Sequence, residues 1–468
     1  MSNFWDFNVW GTFNIFAVLF ASLLIGNMLQ KGIPFLRNSL TPTSVIGGLI
    51  LIIIAAVYKA ITGNVMWDTA FFGGKGTEVL EIITYHTLAL GFITSTLKSN
   101  DSKVTKQRAG EVFNTGLTTV AMYLIQGIVG LGITMIVAKV IPGFFKAAGI
   151  ILPFGYGQGT GQALNYGNIY ETEFGFVGGK SFGLTIAALG FLSASIGGVI
   201  YLNLMKHRGR LKLADKSQFP KPASESVDGE NEIPLNESLD KLTVQVSLIA
   251  VAYFLTYLLM FLLGTLVPGL QSIVYGFNFL IGVMAAIIVK SVLKFFRRKN
   301  IVKKEYLNNF LLTRTGNFFF DIMIVSGIAA IRLDILEQYW GVIAILAVAG
   351  TIVTFIYTRV TAKVLFPHYA EEQFLMMYGM LTGTASTGII LLREVDGEFR
   401  TPASDNMVYQ NLPAIAFGFP MMLLATLAPQ KPVLTMVILI AYCIVLNIIL
   451  FRKQIFRKKK DKIQSDVE

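Results

Sequence analysis

The sequence predicts an all-α integral membrane protein with about eleven transmembrane helices, and three observations support this fold class. Hydrophobic residues make up 54% of the 468-residue chain and charged residues only 14%, whereas soluble domains average about 25% charged residues. The apolar residues are grouped in runs of about 20 residues, the length that a helix needs to cross a bilayer. The charged residues are concentrated between these runs. Together these features argue against a water-soluble fold.

Hydropathy predicts two sets of five spans separated by a polar segment. The first set lies near residues 10–30, 42–61, 78–98, 113–140 and 181–205. Residues 206–240 are polar and contain three prolines, so we expect a cytoplasmic linker. The second set lies near 242–266, 273–295, 314–333, 339–365 and 406–428, and an extra span follows near 432–451. The predicted organisation is a first repeat at 1–205, a second at 241–430, an extra helix at 431–452 and a basic tail at 453–468.

The positions of basic residues predict the orientation of these spans. Five polar segments hold 27 of the 39 Lys and Arg residues, and such segments stay on the cytoplasmic side. Placing all five on one side requires the N-terminus outside and the C-terminus inside. The second set of five spans then enters the membrane in the opposite sense to the first, which predicts inverted repeats. The net charge of +11 therefore indicates topology, and we expect no nucleic-acid partner.

A gap-free comparison of the chain with itself supports the repeat. A shift of 224 positions aligns seven identical residues within 27 positions, among them Gly155 with Gly379 and Gly159-Thr160 with Gly383-Thr384. Compositional bias in membrane segments inflates such matches, so the repeat is a hypothesis. The last span has no counterpart.

Two apolar stretches at residues 149–170 and 374–392 carry small and polar residues in their middles, so we expect re-entrant hairpins. Four glycines within seven residues favour a break, because each glycine costs about 1 kcal/mol in a helix interior. Matched breaks in two opposed halves point to a binding site. The candidate substrate-binding residues are Gly157, Gln158, Gly159, Thr160, Gly161, Gln162, Asn165, Gly383, Thr384, Ala385, Ser386, Thr387 and Asn411.

Helix N-termini at these breaks suit an anion, and unwound carbonyl groups suit sodium. The candidate sodium ligands are Gly159, Thr160, Gly383, Thr384 and Asp321, the last being an acidic residue at membrane depth. The alternative hypothesis is that the glycines and hydroxyls only allow close helix packing. Glu81 and His86 are further ionisable candidates, and a packed histidine is the favoured interpretation of His86. We expect Gln126 to bridge helices.

Residues 157–163 (GQGTGQA), together with residues 182–190 and 383–387, resemble the bacterial sodium/glutamate symporter family. The likeness begins at residues 42–48 and extends to the second hairpin. It implies two inverted five-span repeats with re-entrant hairpins, a mobile transport unit against a scaffold, a homodimer, and sodium-coupled glutamate uptake. The chain departs from the family in the extra last span and in a second hairpin that lacks the proline expected there.

The resemblance thus predicts a symporter of glutamate or a closely related amino acid or carboxylate, with elevator-like alternating access. Its partners would be the solute, sodium and the lipid bilayer, with no other cofactor, in a plasma membrane of the bacterial inner-membrane type. The alternative is a proton-coupled carrier or an exporter of another organic anion, with Glu81, His86 or Asp321 as the relay. An enzyme or sensor is the remaining class, but the sequence offers neither a nucleophile–base pair nor a large soluble domain.

Overall fold

A computed structural model describes residues 3–98, 106–208, 239–268, 271–301, 304–397 and 400–455. Most of these residues are helical, and the described ranges contain no β-strand. Most of the linker predicted at 206–240 and most of the tail predicted at 453–468 lie outside the described residues. Because helices satisfy their own backbone hydrogen bonds, this architecture suits a bilayer interior.

The described residues form eight α-helices in the first half of the chain and ten in the second. The first half contains α1 (Phe7–Gly32), α2 (Pro34–Asn38), α3 (Thr43–Thr62), α4 (Gly76–Leu97), α5 (Lys106–Val140), α6 (Leu152–Gln158), α7 (Thr160–Phe174) and α8 (Gly179–His207). The second half contains α9 (Lys241–Leu266), α10 (Gln271–Gly276), α11 (Asn278–Arg298), α12 (Asn309–Ala329), α13 (Trp340–Leu365), α14 (Ala370–Thr382), α15 (Ala385–Arg393), α16 (Ala403–Tyr409), α17 (Asn411–Leu427) and α18 (Pro432–Leu450).

Nine helices in the described part of the chain are long and apolar enough to cross a membrane. They correspond to nine of the eleven predicted spans. The span predicted near 314–333 is α12, which is less apolar because it carries Arg314 and Asp321. The span predicted near 406–428 is divided into two helices that bend by 54°. The protein is thus a multi-pass helical membrane protein, and the orientation of its termini stays a prediction.

The chain forms two compact units, and each unit draws on both halves of the sequence. The first unit takes residues 1–26, 44–103 and 220–330, and the second takes residues 27–43, 104–219 and 331–468. The first unit therefore holds α3, α4 and most of α1 from one half, with α9 to α12 from the other. The second unit holds α5 to α8 and α13 to α18, so the extra helix α18 belongs to it.

Small residues allow the helices of the first unit to pack closely. A Cβ atom at Gly91 on α4 would lie 2.7 Å from the ring of Phe320 on α12. The Thr84 and Ser326 hydroxyls are hydrogen-bonded to each other at 2.9 Å across the same pair of helices. Helices α4, α9, α11 and α12 share a buried cluster of Ile93, Leu97, Ile249, Ala252, Ala286, Leu307 and Leu312.

The helix boundaries agree with the register of the 224-residue shift. Gly159 ends α6 and Gly383 ends α14, and these two residues are aligned by the shift. The preceding spans end at Val140 and Leu365, within one residue of the same register. The agreement supports the repeat hypothesis, while the inverted relation of the two repeats stays a prediction.

Candidate functional site

The first helix interruption consists of one residue, Gly159, between α6 and α7. Its backbone has φ of +82° and ψ of −169°, a region that is essentially restricted to glycine and costs other residues about 1–3 kcal/mol. The Gly159 amide still donates to the Gly155 carbonyl at 3.2 Å, and its carbonyl accepts from Ala163 at 3.2 Å. The helix direction therefore changes with little loss of backbone hydrogen bonding.

The neighbouring glycines lie within helices and serve close packing. A Cβ atom at Gly155 would lie 2.7 Å from the Ile186 side chain on α8. A Cβ atom at Gly157 would collide with the ring of Tyr123 on α5. Gly161 lies buried in the first turn of α7. Gly159 thus interrupts the helix while Gly155 and Gly157 allow close packing, and the binding site at this motif stays a prediction.

Helices α6 and α7 pack side by side across this interruption. The rings of Phe154 and Tyr166 are stacked with their centroids 3.8 Å apart. The Tyr166 hydroxyl donates to the Met422 carbonyl at 2.9 Å, and the Tyr170 hydroxyl donates to the Ala425 carbonyl at 2.6 Å. Both bonds attach α7 to α17, so this helical pair is fixed along its length.

The second interruption consists of Gly383 and Thr384, between α14 and α15. Thr384 caps α15, because its side chain accepts a hydrogen bond from the Thr387 amide. A Cβ atom at Gly379 would lie 2.8 Å from the Cα atom of Gly388, so α14 and α15 also pack side by side. Ala385 and Ser386 are exposed, whereas Thr387 is buried. Whether either pair of helices is re-entrant in a membrane stays a prediction.

Helix α8 brings the two helical pairs together within the second unit. A Cβ atom at Gly190 would lie 2.5 Å from the Thr382 carbonyl oxygen, next to the second interruption, and 3.1 Å from the ring of Tyr156 on α6. The Tyr378 hydroxyl of α14 donates to the Ser193 carbonyl of α8 at 3.0 Å. Both interruptions are therefore supported by the same stretch of α8.

Helix α5 contacts both interruptions through polar side chains that the sequence did not identify as site residues. The Tyr123 hydroxyl donates to the Gly157 carbonyl at 3.0 Å. The Gln126 amide nitrogen donates to the Leu381 carbonyl at 3.0 Å and to the Thr354 hydroxyl at 2.8 Å. Gln126 bridges helices as expected, and the bridge ends beside the second interruption. The sequence feature that could have identified Gln126 as a residue near the site is a glutamine within an apolar span.

Gln162 is the predicted site residue with the clearest requirement for a ligand. Its side chain lies in the first turn of α7 and is only 1% exposed. Neither its amide nitrogen nor its amide oxygen has a hydrogen-bond partner among the described residues. Buried polar groups are nearly always hydrogen-bonded, so this amide offers a donor and an acceptor to a solute, an ion or a water molecule. Thr160 and Asn165 are buried on the same helix.

Asn411 lies apart from the buried residues of the first interruption. It is exposed at the start of α17, and its side-chain oxygen accepts from Gln410 at 3.3 Å. The Gln410 amide nitrogen in turn donates to the sulfur of Met380 at 3.4 Å, and its buried amide oxygen has no hydrogen-bond partner in the described part of the chain. The more buried amide near the second interruption is therefore Gln410, one residue before the predicted one.

The predicted sodium ligands are divided between the two units. Gly159, Thr160, Gly383 and Thr384 belong to the second unit, whereas Asp321 lies on an exposed face of α12 in the first. Among the described residues, no three His, Cys, Asp or Glu side chains form a group that could hold a metal. The glycines would bind sodium only through backbone oxygens. The sodium site stays a prediction.

The ionisable candidates Glu81 and His86 lie on α4 of the first unit. His86 is hydrogen-bonded through its ring to the Tyr253 hydroxyl on α9, and the two rings meet edge to face at 5.7 Å. This is the geometry of a histidine that joins two helices, in line with the favoured interpretation.

Acidic residues anchor the base of α14, on the side away from the second interruption. Glu371 accepts hydrogen bonds from Arg359 at 2.5 Å and from the Tyr201 hydroxyl at 2.5 Å. Its neighbour Glu372 is half-buried, and this burial raises the pKa of the Glu372 carboxyl above its usual 4.5. The charges of Asp396 and Glu371 raise that pKa further, while a backbone hydrogen bond opposes the shift.

Many membrane-spanning helices, with two interrupted helical pairs packed on shared helices, are the architecture of a secondary transporter. The chain belongs to the sodium/glutamate symporter family, whose family model matches residues 7–380. No curated protein sequence matches the chain at a significant level.

The family match covers the two interruptions unequally. It includes the whole first interruption and ends at Met380, just before Gly383. The second interruption and helices α15 to α18 therefore lie outside the matched residues. The resemblance supports a role for Gly157 to Asn165 more directly than one for Gly383 to Thr387.

Proposed function

We propose that the protein takes up glutamate, or a closely related amino acid or carboxylate, together with sodium ions. Family membership supports a transporter rather than an enzyme. The observation that carries the site assignment is Gln162, a fully buried amide in the first turn after the first interruption that has no hydrogen-bond partner among the described residues. An amide offers both a donor and an acceptor, so it suits a zwitterionic amino acid.

The helix termini supply the remaining chemistry of the proposed site. The N-terminus of α7 begins at Thr160 and that of α15 at Ala385. Free backbone N–H groups and the helix dipole favour a carboxylate at such positions. Carbonyl groups at the ends of α6 and α14 offer neutral oxygens to sodium. Substrate and ion would then bind to adjacent parts of the two interruptions.

We further propose that the second unit carries the substrate in an elevator-like movement. Both interruptions belong to this unit, as do the helices α5 and α8 that support them. The first unit, with α3, α4 and α9 to α12, would be the scaffold. The resemblance also implies a homodimer in a plasma membrane of the bacterial inner-membrane type. The mass of the detergent-solubilised protein would test the homodimer.

Reconstitution into liposomes tests the proposed transport reaction. Purified protein should accumulate labelled glutamate under an inward sodium gradient and not under an equal potassium gradient. Uptake driven by a pH gradient and indifferent to sodium would instead support the proton-coupled alternative. Sodium-driven uptake of another labelled carboxylate, with no competition by glutamate, would show that only the substrate assignment is wrong.

A further inference from the structure

A polar cavity lies within the second unit, away from both interruptions. It has a volume of about 230 Å³. Helix α5 contributes Gly110, Glu111 and Asn114 to its lining, and Leu365 ends α13 at its wall. The remaining lining residues come from the end of α18 and the chain just beyond it, and those used below are Leu450, Arg452 and Lys453.

The cavity lies at a membrane boundary, whichever way the protein is oriented. Three candidate spans have one end there: Arg108–Val140 begins at the cavity, while Glu337–Leu365 and Pro432–Leu450 end at it. A site where three apolar helices end lies at the level of the lipid headgroups. Its polar side chains and its leucines thus lie at the depth where phosphate and glycerol groups are found.

The cations of the cavity have no carboxylate partner. Neither Arg452 nor Lys453 forms an ion pair with a carboxylate in the described part of the chain. Arg452 is held in place, because its Nη1 donates to the Ile449 carbonyl at 2.7 Å and its guanidinium lies 5.8 Å above the Phe113 ring. Its Nε and Nη2 atoms form no hydrogen bond with the residues that the structure describes.

The acidic residue of the cavity is already compensated. The Glu111 carboxylate accepts a hydrogen bond from the Tyr369 hydroxyl at 2.8 Å. It also pairs with Arg108 at 3.6 Å. The charge presented to a ligand is therefore dominated by Arg452 and Lys453.

We propose that this cavity binds the phosphate of an anionic phospholipid headgroup. The Arg452 guanidinium suits a phosphate through paired N–H donors, and Lys453 adds a second positive charge at the cavity edge. Leu365 and Leu450 contact the glycerol and the upper acyl chain. The sequence continues with the basic residues Arg457–Lys460, which strengthen attraction to an anionic membrane surface. The site requires no assumption about the transported solute.

Native mass spectrometry of the detergent-purified, delipidated full chain tests this site. The protein is titrated with dioleoylphosphatidylglycerol, with dioleoylphosphatidylcholine and with inorganic phosphate. The wild type should retain one more phosphatidylglycerol than the double variant Arg452→Gln/Lys453→Gln, and the affinity for that lipid should differ by roughly tenfold to thirtyfold. Lys431→Gln is the matched control, because Lys431 is an exposed cation at the opposite end of α18.

The single variant Lys453→Gln should fold like the wild type, because the exposed Lys453 side chain forms no hydrogen bond with the described residues. Its effect on lipid retention can therefore be separated from an effect on folding. This variant should weaken lipid retention by about fivefold. Equal retention of phosphatidylglycerol by the wild type and both variants would overturn the proposal. The proposal would also be overturned if the wild type retained as much phosphatidylcholine as phosphatidylglycerol. Displacement of the lipid by millimolar inorganic phosphate would overturn it as well, because that result would assign the cavity to a free anion.

Discussion

The two helix interruptions redirect the chain by different means. At the first, a single residue does so, and Gly159 adopts a conformation with φ of +82° that other residues avoid. At the second, Thr384 has φ of −138° and ψ of 169°, an extended conformation that any residue adopts, and Gly383 has a negative φ of −139°. There the Thr384 side chain caps the next helix. The first interruption depends on one glycine, and the second depends on a cap.

The residues that follow the two interruptions also differ in burial. Thr160 and Gln162 are at most 1% exposed, whereas Ala385 and Ser386 of the second interruption are exposed. A substitution at Thr160 or Gln162 therefore affects a fully packed environment, whereas one at Ala385 or Ser386 leaves room for adjustment. This contrast teaches that equal positions in a sequence repeat need not tolerate change equally.

The largest expected effect comes from alanine at the two aligned glycines. Gly159→Ala places a Cβ in the glycine-only region, at a cost of about 1–3 kcal/mol, and should lower initial rates of glutamate uptake by up to about a hundredfold. Gly383→Ala should have a smaller effect, because its Cβ meets three neighbours at 3.0–3.3 Å that must shift by a few tenths of an ångström.

Uptake rates in liposomes and melting temperatures of both variants check this order. Gly341→Ala in the first turn of α13 is the control, since nothing lies within 4 Å of its Cβ position, and alanine has a higher helix propensity than glycine. Equal losses for Gly159→Ala and Gly383→Ala would show that the two interruptions are equivalent after all.

The sequence predicts the existence of the first break better than its cause. Four glycines indicate an interruption, but only Gly159 adopts the required backbone, while Gly155 and Gly157 are small because Ile186 and Tyr123 lie against them. Those neighbours are on other helices, so local sequence carries no trace of them. The assignment of each helix to a unit is likewise a tertiary property that hydropathy does not contain.

Polar residues in apolar spans show the same limit. Gln126 and Gln162 look alike in sequence, yet one is bonded to two partners and the other to none of the described residues. Only tertiary packing separates a helix bridge from a candidate ligand. The predicted span near 314–333 shows the converse, because α12 forms in spite of Arg314 and Asp321.

An intermediate effect is expected from methionine at these two glutamines. Gln162→Met removes a buried amide that is not hydrogen-bonded to any residue the structure describes, so the melting temperature should stay constant or rise. Glutamate affinity should fall by about tenfold, because one hydrogen bond to a charged ligand is lost. Gln126→Met should instead destabilise the protein by about 1–3 kcal/mol, since the Leu381 carbonyl loses its donor.

Substrate-dependent melting curves measure both quantities at once for these variants. Methionine nearly preserves the side-chain volume, so cavity formation does not confuse the comparison. A strong destabilisation by Gln162→Met with unchanged glutamate affinity would show that a structural water satisfies this amide and would move the binding site away from the first interruption.

The smallest expected effect concerns the base of α14, on which the second interruption depends. Because the pKa of Glu372 is raised in the folded protein, the fold binds this proton more tightly than the unfolded chain does. The free energy of unfolding therefore falls as the pH rises above about 4.5. Glu372→Gln lacks this loss, so its melting temperature should equal that of the wild type at pH 4 and exceed it by about 1 °C at pH 8.

Glu371→Gln is the matched contrast and should have the opposite sign, because Glu371 accepts hydrogen bonds from Arg359 and Tyr201. Its removal leaves a half-buried guanidinium without its anion, so the melting temperature at pH 8 should fall. If both variants changed the melting temperature in the same direction at pH 8, the base of α14 would respond only to its net charge. The hydrogen bonds that Glu371 accepts from Arg359 and Tyr201 would then not stabilise the first turn of α14 specifically.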